Sequence, residues 1–84
     1  MIQLLKKILP GYSYGIYHGK KYGITRNDFN NGKSTKIYAE ELAGTDFVSL
    51  NVYVTNPEIL LKPCEMPEEK VLDFLQNVSI INEE

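Results

Sequence analysis

Eighty-four residues with a net charge of −2, 43% hydrophobic and 24% charged, bound the chain to one domain, residues 1–84, with a thin core. A lone cysteine excludes an internal disulfide, and a lone histidine beside it leaves too few ligands for a structural zinc, so no metal or cofactor is expected. No apolar run approaches the roughly 20 residues of a membrane-spanning helix, and the N-terminus is not built like a signal peptide, so no membrane insertion and a cytoplasmic location are expected. Homodimerisation is the remaining way to reinforce so small a core, which makes a homodimer an expectation.

In chain order, Met1, Leu4, Leu5 and Ile8 recur at helical spacing and Pro10-Gly11 stops the run, so a short N-terminal helix is expected over residues 1–9. Tyr12 to His18 and Lys21 to Asp28 follow as two strands. A three-residue loop centred on Gly19 pairs Ile16 with Tyr22 and Tyr14 with Ile24, and puts those four side chains on one face. Asn31-Gly32 is the strongest turn signal, because both positions tolerate positive φ. It sets Phe29 opposite Ser34, Arg26 opposite Ile37 and Ile24 opposite Ala39, with a third strand over 34–41.

The fourth strand, 47–55, is the clearest. Val48, Leu50, Val52 and Val54 alternate toward a core, while Ser49 and Asn51 lie between Phe47 and Tyr53 on the other side. Asn56-Pro57 reads as a turn and 58–62 as a short fifth strand. Pro67 suits a helix start and Glu68 and Glu69 suit its positive end, so a helix is expected over 67–78. Its stripe of Val71, Phe74, Leu75 and Val78 belongs on the valine–leucine face of the sheet. Residues 79–84 read as a frayed tail. The expected fold is α+β: a twisted antiparallel sheet of four to five strands, with the C-terminal helix on one face.

Charge is unevenly placed. Residues 1–36 carry seven lysines and arginines against Asp28, a net +6, and residues 37–84 carry two lysines against ten acids, a net −8. Such a split can mark a basic binding face or halves that attract one another. Within residues 12–38, tyrosines interleave with lysines and Arg26. Single-stranded nucleic acid is commonly held that way, with bases stacked on aromatics and phosphates on cations. The candidate residues are Lys20, Lys21, Arg26, Lys33 and Lys36 for phosphates, with Tyr22 and Tyr38 for bases. The plainer reading is that tyrosine is a good strand residue with a wettable end.

The remaining motifs are weak. Gly32-Lys33-Ser34 imitates the end of a phosphate-binding loop, but Asn27 stands where that loop needs a glycine, and a strand follows where it needs a helix. Cys64 precedes a helix, a place that can activate a thiol, yet Glu65, Glu68 and Glu69 oppose a thiolate. His18 has neither a triad partner nor a co-ligand. Glu40 and Glu41 are adjacent and point to opposite sides of a strand, so they do not pair as acid and base.

The arrangement resembles the transcriptional positive cofactor four family and its bacterial relatives. Lys21 to Phe29, a turn and Lys36 to Glu41 are similar to that family's first strand pair, and Leu60-Leu61-Lys62-Pro63 leading to Pro67 to its last strand and helix start. The resemblance covers about residues 21–78 and implies a homodimer holding single-stranded DNA on its sheet. Ala39-Glu40-Glu41-Leu42 and Leu61 to Pro67 also resemble segments of short, uncharacterised bacterial proteins, some labelled peptide methionine sulfoxide reductase. The chain lacks the Gly-Cys-Phe-Trp run of one reductase class and the arginine-flanked cysteine of the other, so that label implies a redox role for Cys64 alone. Three functions stay open: a non-enzymatic module for single-stranded nucleic acid, a Cys64-dependent redox enzyme, and a protein-interaction or structural domain.

Overall fold

The structure, a computed structural model, describes residues 2–55 and 58–81, the side chains of residues 2 and 3 excepted. Its elements are helix α1 (Ile2–Lys6), strands β1 (Gly11–Tyr17), β2 (Lys20–Phe29), β3 (Ser34–Glu41), β4 (Phe47–Val54) and β5 (Ile59–Pro63), helix α2 (Glu68–Asn77) and strand β6 (Ser79–Ile81). The six strands form one antiparallel sheet in the order β5-β4-β3-β2-β1-β6. The α+β class read from the sequence is the class observed. Met1, the expected turn at Asn56-Pro57 and residues 82–84 lie outside the described residues.

One face of the sheet is covered. Val48, Leu50 and Val52 of β4 pack under Val71, Phe74, Leu75 and Val78, and none of the seven is more than 3% exposed. The alternation of β4 and the helical stripe of α2 therefore meet as their periods require. Val54, expected in that core, is exposed, because it lies at the end of β4 opposite Ile59, beyond the helix. Leu5 and Ile8 extend the core at the other end. There Lys7 donates from Nζ to the carbonyls of Val78 (2.9 Å) and Gln76 (3.4 Å), placing a cation at the negative end of α2.

The β2–β3 register is the expected one, with Phe29 opposite Ser34, Arg26 opposite Ile37 and Ile24 opposite Ala39. Asn30, Asn31 and Gly32 all take positive φ, and the Lys33 N–H closes the turn on the Asn30 carbonyl at 3.1 Å. The β1–β2 register differs by one residue. His18 (φ 52°) and Gly19 (φ 76°) alone form the loop, both left-handed, so Tyr17 pairs with Lys20 and Gly15 with Tyr22. A one-residue slip sends every β1 side chain to the opposite face. Tyr17 thereby enters the core, while Tyr14 and Ile16, expected beside Tyr22 and Ile24, go to the other side.

The second correction concerns the expected frayed tail. Residues 79–81 form β6 on the edge of β1, with Ser79, Ile80 and Ile81 opposite Ile16, Gly15 and Tyr14. Gly15 permits this approach. A Cβ there would lie 2.8 Å from Val78 Cγ2 and 3.2 Å from the Ser79 carbonyl oxygen. Val78, at the helix C-cap with extended backbone, turns the chain directly from α2 into the sheet.

Candidate functional site

The uncovered face of the sheet follows from the pairing register, because residues directly opposite in an antiparallel pair share a face. Four rows cross the strands. Phe29, Ser34, Tyr53 and Leu60 form the first; Asn27, Lys36, Asn51 and Lys62 the second; Tyr12, Thr25, Tyr38 and Ser49 the third; Tyr14, Gly23, Glu40 and Phe47 the fourth. Lys21 and Ile16 lie opposite one another beyond the fourth row. The second row is wholly polar, two lysines and two amides. The rows on either side of it carry Tyr53, Phe29, Tyr38 and Tyr12.

The aromatic side chains contact one another across this face. Tyr38 stacks on Phe47 with centroids 6.1 Å apart, and Tyr12 meets Tyr14 edge-on at 5.2 Å. Lys21 Nζ stands 4.6 Å from the Tyr14 ring centroid, a cation over a π face. The Tyr12 ring bends over Gly23, where an added Cβ would fall 2.1 Å from the hydroxyl oxygen. Ser49 lies buried beneath its larger neighbours, whereas Tyr12, Tyr38, Tyr53, Phe29 and Leu60 stay exposed. Exposed aromatic side chains gathered on one face in this way mark an interaction site more often than an idle surface.

Of the residues read from the sequence as nucleic-acid-binding, the structure gathers Lys21, Lys36 and Tyr38 on this face. Lys33 sits at the β2–β3 hairpin tip, past the first row. The other three go elsewhere. Tyr22 is buried on the helix side, packed edge-on against Phe74, and donates its hydroxyl to Asp46 at 2.7 Å. Arg26 donates from one terminal nitrogen to the Leu5 (3.1 Å) and Ile8 (2.7 Å) carbonyls, holding the end of α1, and from Nε to Asp28 at 3.1 Å. Lys20 pairs with Glu41 at 3.5 Å on the helix side. Sequence reasoning about the basic half missed Asn27, which the β2–β3 register sets opposite Lys36, and Asn51 and Lys62, which enter only when β4 and β5 are laid against β3. The alternation of Phe47, Ser49, Asn51 and Tyr53 was the local signal for Asn51.

Cys64 reaches the same face from beyond β5. Its N–H donates to the Ser49 carbonyl at 2.9 Å, and Asn51 Nδ2 donates to its Sγ at 3.3 Å. The thiol is half-buried. The next residue, Glu65, turns the chain with φ 64°.

A separate polar cluster ties the helix side together. Asp73 accepts from the Tyr17 hydroxyl, from His18 Nε2 at 2.9 Å and from Asn77 Nδ2 at 2.8 Å, and Asp46 accepts from Lys70 and Tyr22. The Tyr17 hydrogen bond first, then His18, holds the Asp73 carboxyl below its ordinary range; the Lys70 ammonium first, then the Tyr22 hydroxyl, does so for Asp46. Burial, reinforced by these carboxylates, pushes both phenols up. The bonds from Tyr17 and His18 to Asp73 and from Lys70 and Tyr22 to Asp46 join the β1–β2 hairpin and the β3–β4 loop to α2. Among the described residues, no group of three histidines, cysteines or acids could hold a metal ion. No family model, curated protein or solved structure matches the chain.

Proposed function

We propose that the uncovered sheet face binds single-stranded nucleic acid. The observation that carries the reading is the row of Asn27, Lys36, Asn51 and Lys62 between rows bearing Tyr53 and Phe29 on one side and Tyr38 and Tyr12 on the other. Lysines and amides suit a phosphodiester backbone, and the flanking rings are platforms on which any base can stack. Unstacked bases can lie on an open sheet face of this kind. Lys21 adds a third phosphate contact beside Tyr14, and Tyr22, Arg26 and Lys20 serve the fold.

Fluorescence anisotropy with a labelled oligothymidylate at low salt tests this. Binding should weaken with salt with a log–log slope of about −2, three lysines at roughly 0.7 each. Lys36→Ala should lower that slope by about 0.7. Tyr38→Ala should cost about 1–3 kcal/mol of affinity with the slope unchanged. Absence of binding at low salt, or a Tyr38→Ala variant that binds as well as the parent, overturns the reading.

A further inference from the structure

The same face carries a pattern that nucleic acid does not explain. Glu40 projects from it two residues after Tyr38, as Lys36 does two residues before, each about 7 Å along β3 from the tyrosine. Contacts to phosphate do not account for this acid. Among the described residues neither Lys36 nor Glu40 makes an ion pair. Lys36, Tyr38 and Glu40 are, however, self-complementary. A two-fold axis lying in the plane of the face and crossing β3 at Tyr38 reverses the strand direction. It sets Lys36 against the partner's Glu40, Glu40 against the partner's Lys36, and Tyr38 on its own copy, as an isologous interface requires.

The axis is selected by charge. A two-fold axis along β3 would instead set lysine on lysine and acid on acid, which costs energy. About the favoured axis Lys21, four residues before Thr25 on β2, comes opposite Phe29 of the second copy, four residues after it, so the remaining lysine of that strand meets a ring. Size allows the contact. The two larger extents of the molecule are 38 and 31 Å against a third of 17 Å. The broad side of such a slab exceeds the roughly 800 Å² per partner of a standard stable interface.

We infer that this face, when no nucleic acid lies on it, closes on the same face of a second copy through Lys36, Tyr38 and Glu40, so that self-association and nucleic-acid binding compete. The competition rests on the nucleic-acid reading; the self-association does not. Sedimentation velocity on the full chain, from low micromolar to millimolar concentration, should show a monomer passing to a dimer. Lys36→Glu and Glu40→Lys should each stay monomeric, with circular dichroism unchanged because both positions reach solvent, and an equimolar mixture of the two should recover the dimer. Oligothymidylate should convert the parent dimer to a complex containing one protein chain. Glu40→Lys, freed of self-association and of a negative charge, should bind oligothymidylate several-fold more tightly than the parent.

A parent that stays monomeric at millimolar concentration overturns the inference even if it binds oligothymidylate. So does a dimer that the two charge variants, mixed, fail to recover, or one that persists on the oligonucleotide. A dimer that forms as described in a protein that does not bind oligothymidylate supports the contact and overturns the nucleic-acid reading instead.

Discussion

Gly15 and Gly23 sit on opposite faces of the sheet and are small for different reasons. At Gly15 the neighbours are Val78, Ile24 and the Ser79 backbone, all within the packed layer. Gly15→Ala must displace β6 or the helix end, and urea unfolding should register a loss of about 1–3 kcal/mol, the usual cost of overpacking. At Gly23 the obstruction is the far end of Tyr12, a side chain more than half exposed. Gly23→Ala should therefore leave the fold intact and swing the Tyr12 ring off the sheet, visible as a change in near-ultraviolet circular dichroism. Tyr22→Phe removes one hydrogen bond to Asp46 while Lys70 keeps its own, so it should cost about 1 kcal/mol in stability and leave oligonucleotide affinity unchanged. That last outcome separates Tyr22, a core residue, from Tyr38, a surface one. Their sequence surroundings are alike, both in strands within two residues of a lysine, and only the neighbours they acquire on folding distinguish them.

Among the elements, α2 supplies most of the cover for the sheet. Phe74 touches both Tyr17 and Tyr22, with centroids 4.9 and 5.7 Å away, and Phe74→Ala should cost about 3–5 kcal/mol. The helix is also tied by charge, which makes its docking depend on pH. Asp46 and Asp73 have their folded-state values held below the ordinary 3.8, so the stability they add is complete above that value and is lost as pH falls through the lower folded values. Tyr17 and Tyr22 have theirs raised above 10.0. Their contribution is complete below pH 10 and erodes as pH rises above it, since the unfolded chain releases those protons first. Thermal melts across pH should thus fall at both ends, and Tyr17→Phe with Tyr22→Phe should flatten the alkaline limb. Most of this layer was legible in the sequence. The alternation of Val48, Leu50 and Val52 and the stripe of Val71, Phe74, Leu75 and Val78 each follow a fixed backbone period. Strand β6 was not legible, because three residues carry no period, and their pairing depends on a glycine more than sixty positions earlier. The β1–β2 register was misjudged for a related reason: His18 is a poor advertisement for a left-handed turn, whereas Asn31-Gly32 is a clear one.

At the scale of the whole molecule, folding redistributes the charge that the sequence separates. Lys7, Lys20 and Arg26 of the basic half are spent on the end of α2, on Glu41, and on the end of α1 with Asp28. Lys62 of the acidic half joins Lys21 and Lys36 on the open face, and Asp46 and Asp73 gather on the helix side. The result is a slab with an aromatic, lysine-bearing open face and a helix side on which acids and bases are paired. Lys20→Ala and Lys62→Ala offer the simplest check. The first should leave the salt slope of oligonucleotide binding where it is, and the second should lower it by about 0.7. The sequence by itself determined the α+β class, two of the registers' anchoring features (the Asn31-Gly32 turn and the β4 alternation) and the part of the core where Val48, Leu50 and Val52 meet the α2 stripe, because backbone periods and turn preferences act over a few residues. Only the tertiary structure decided which lysines and tyrosines share the open face. Face membership passes from strand to strand through the register, and a shift of one residue at His18-Gly19 is enough to move Tyr14 to that face and Tyr17 off it.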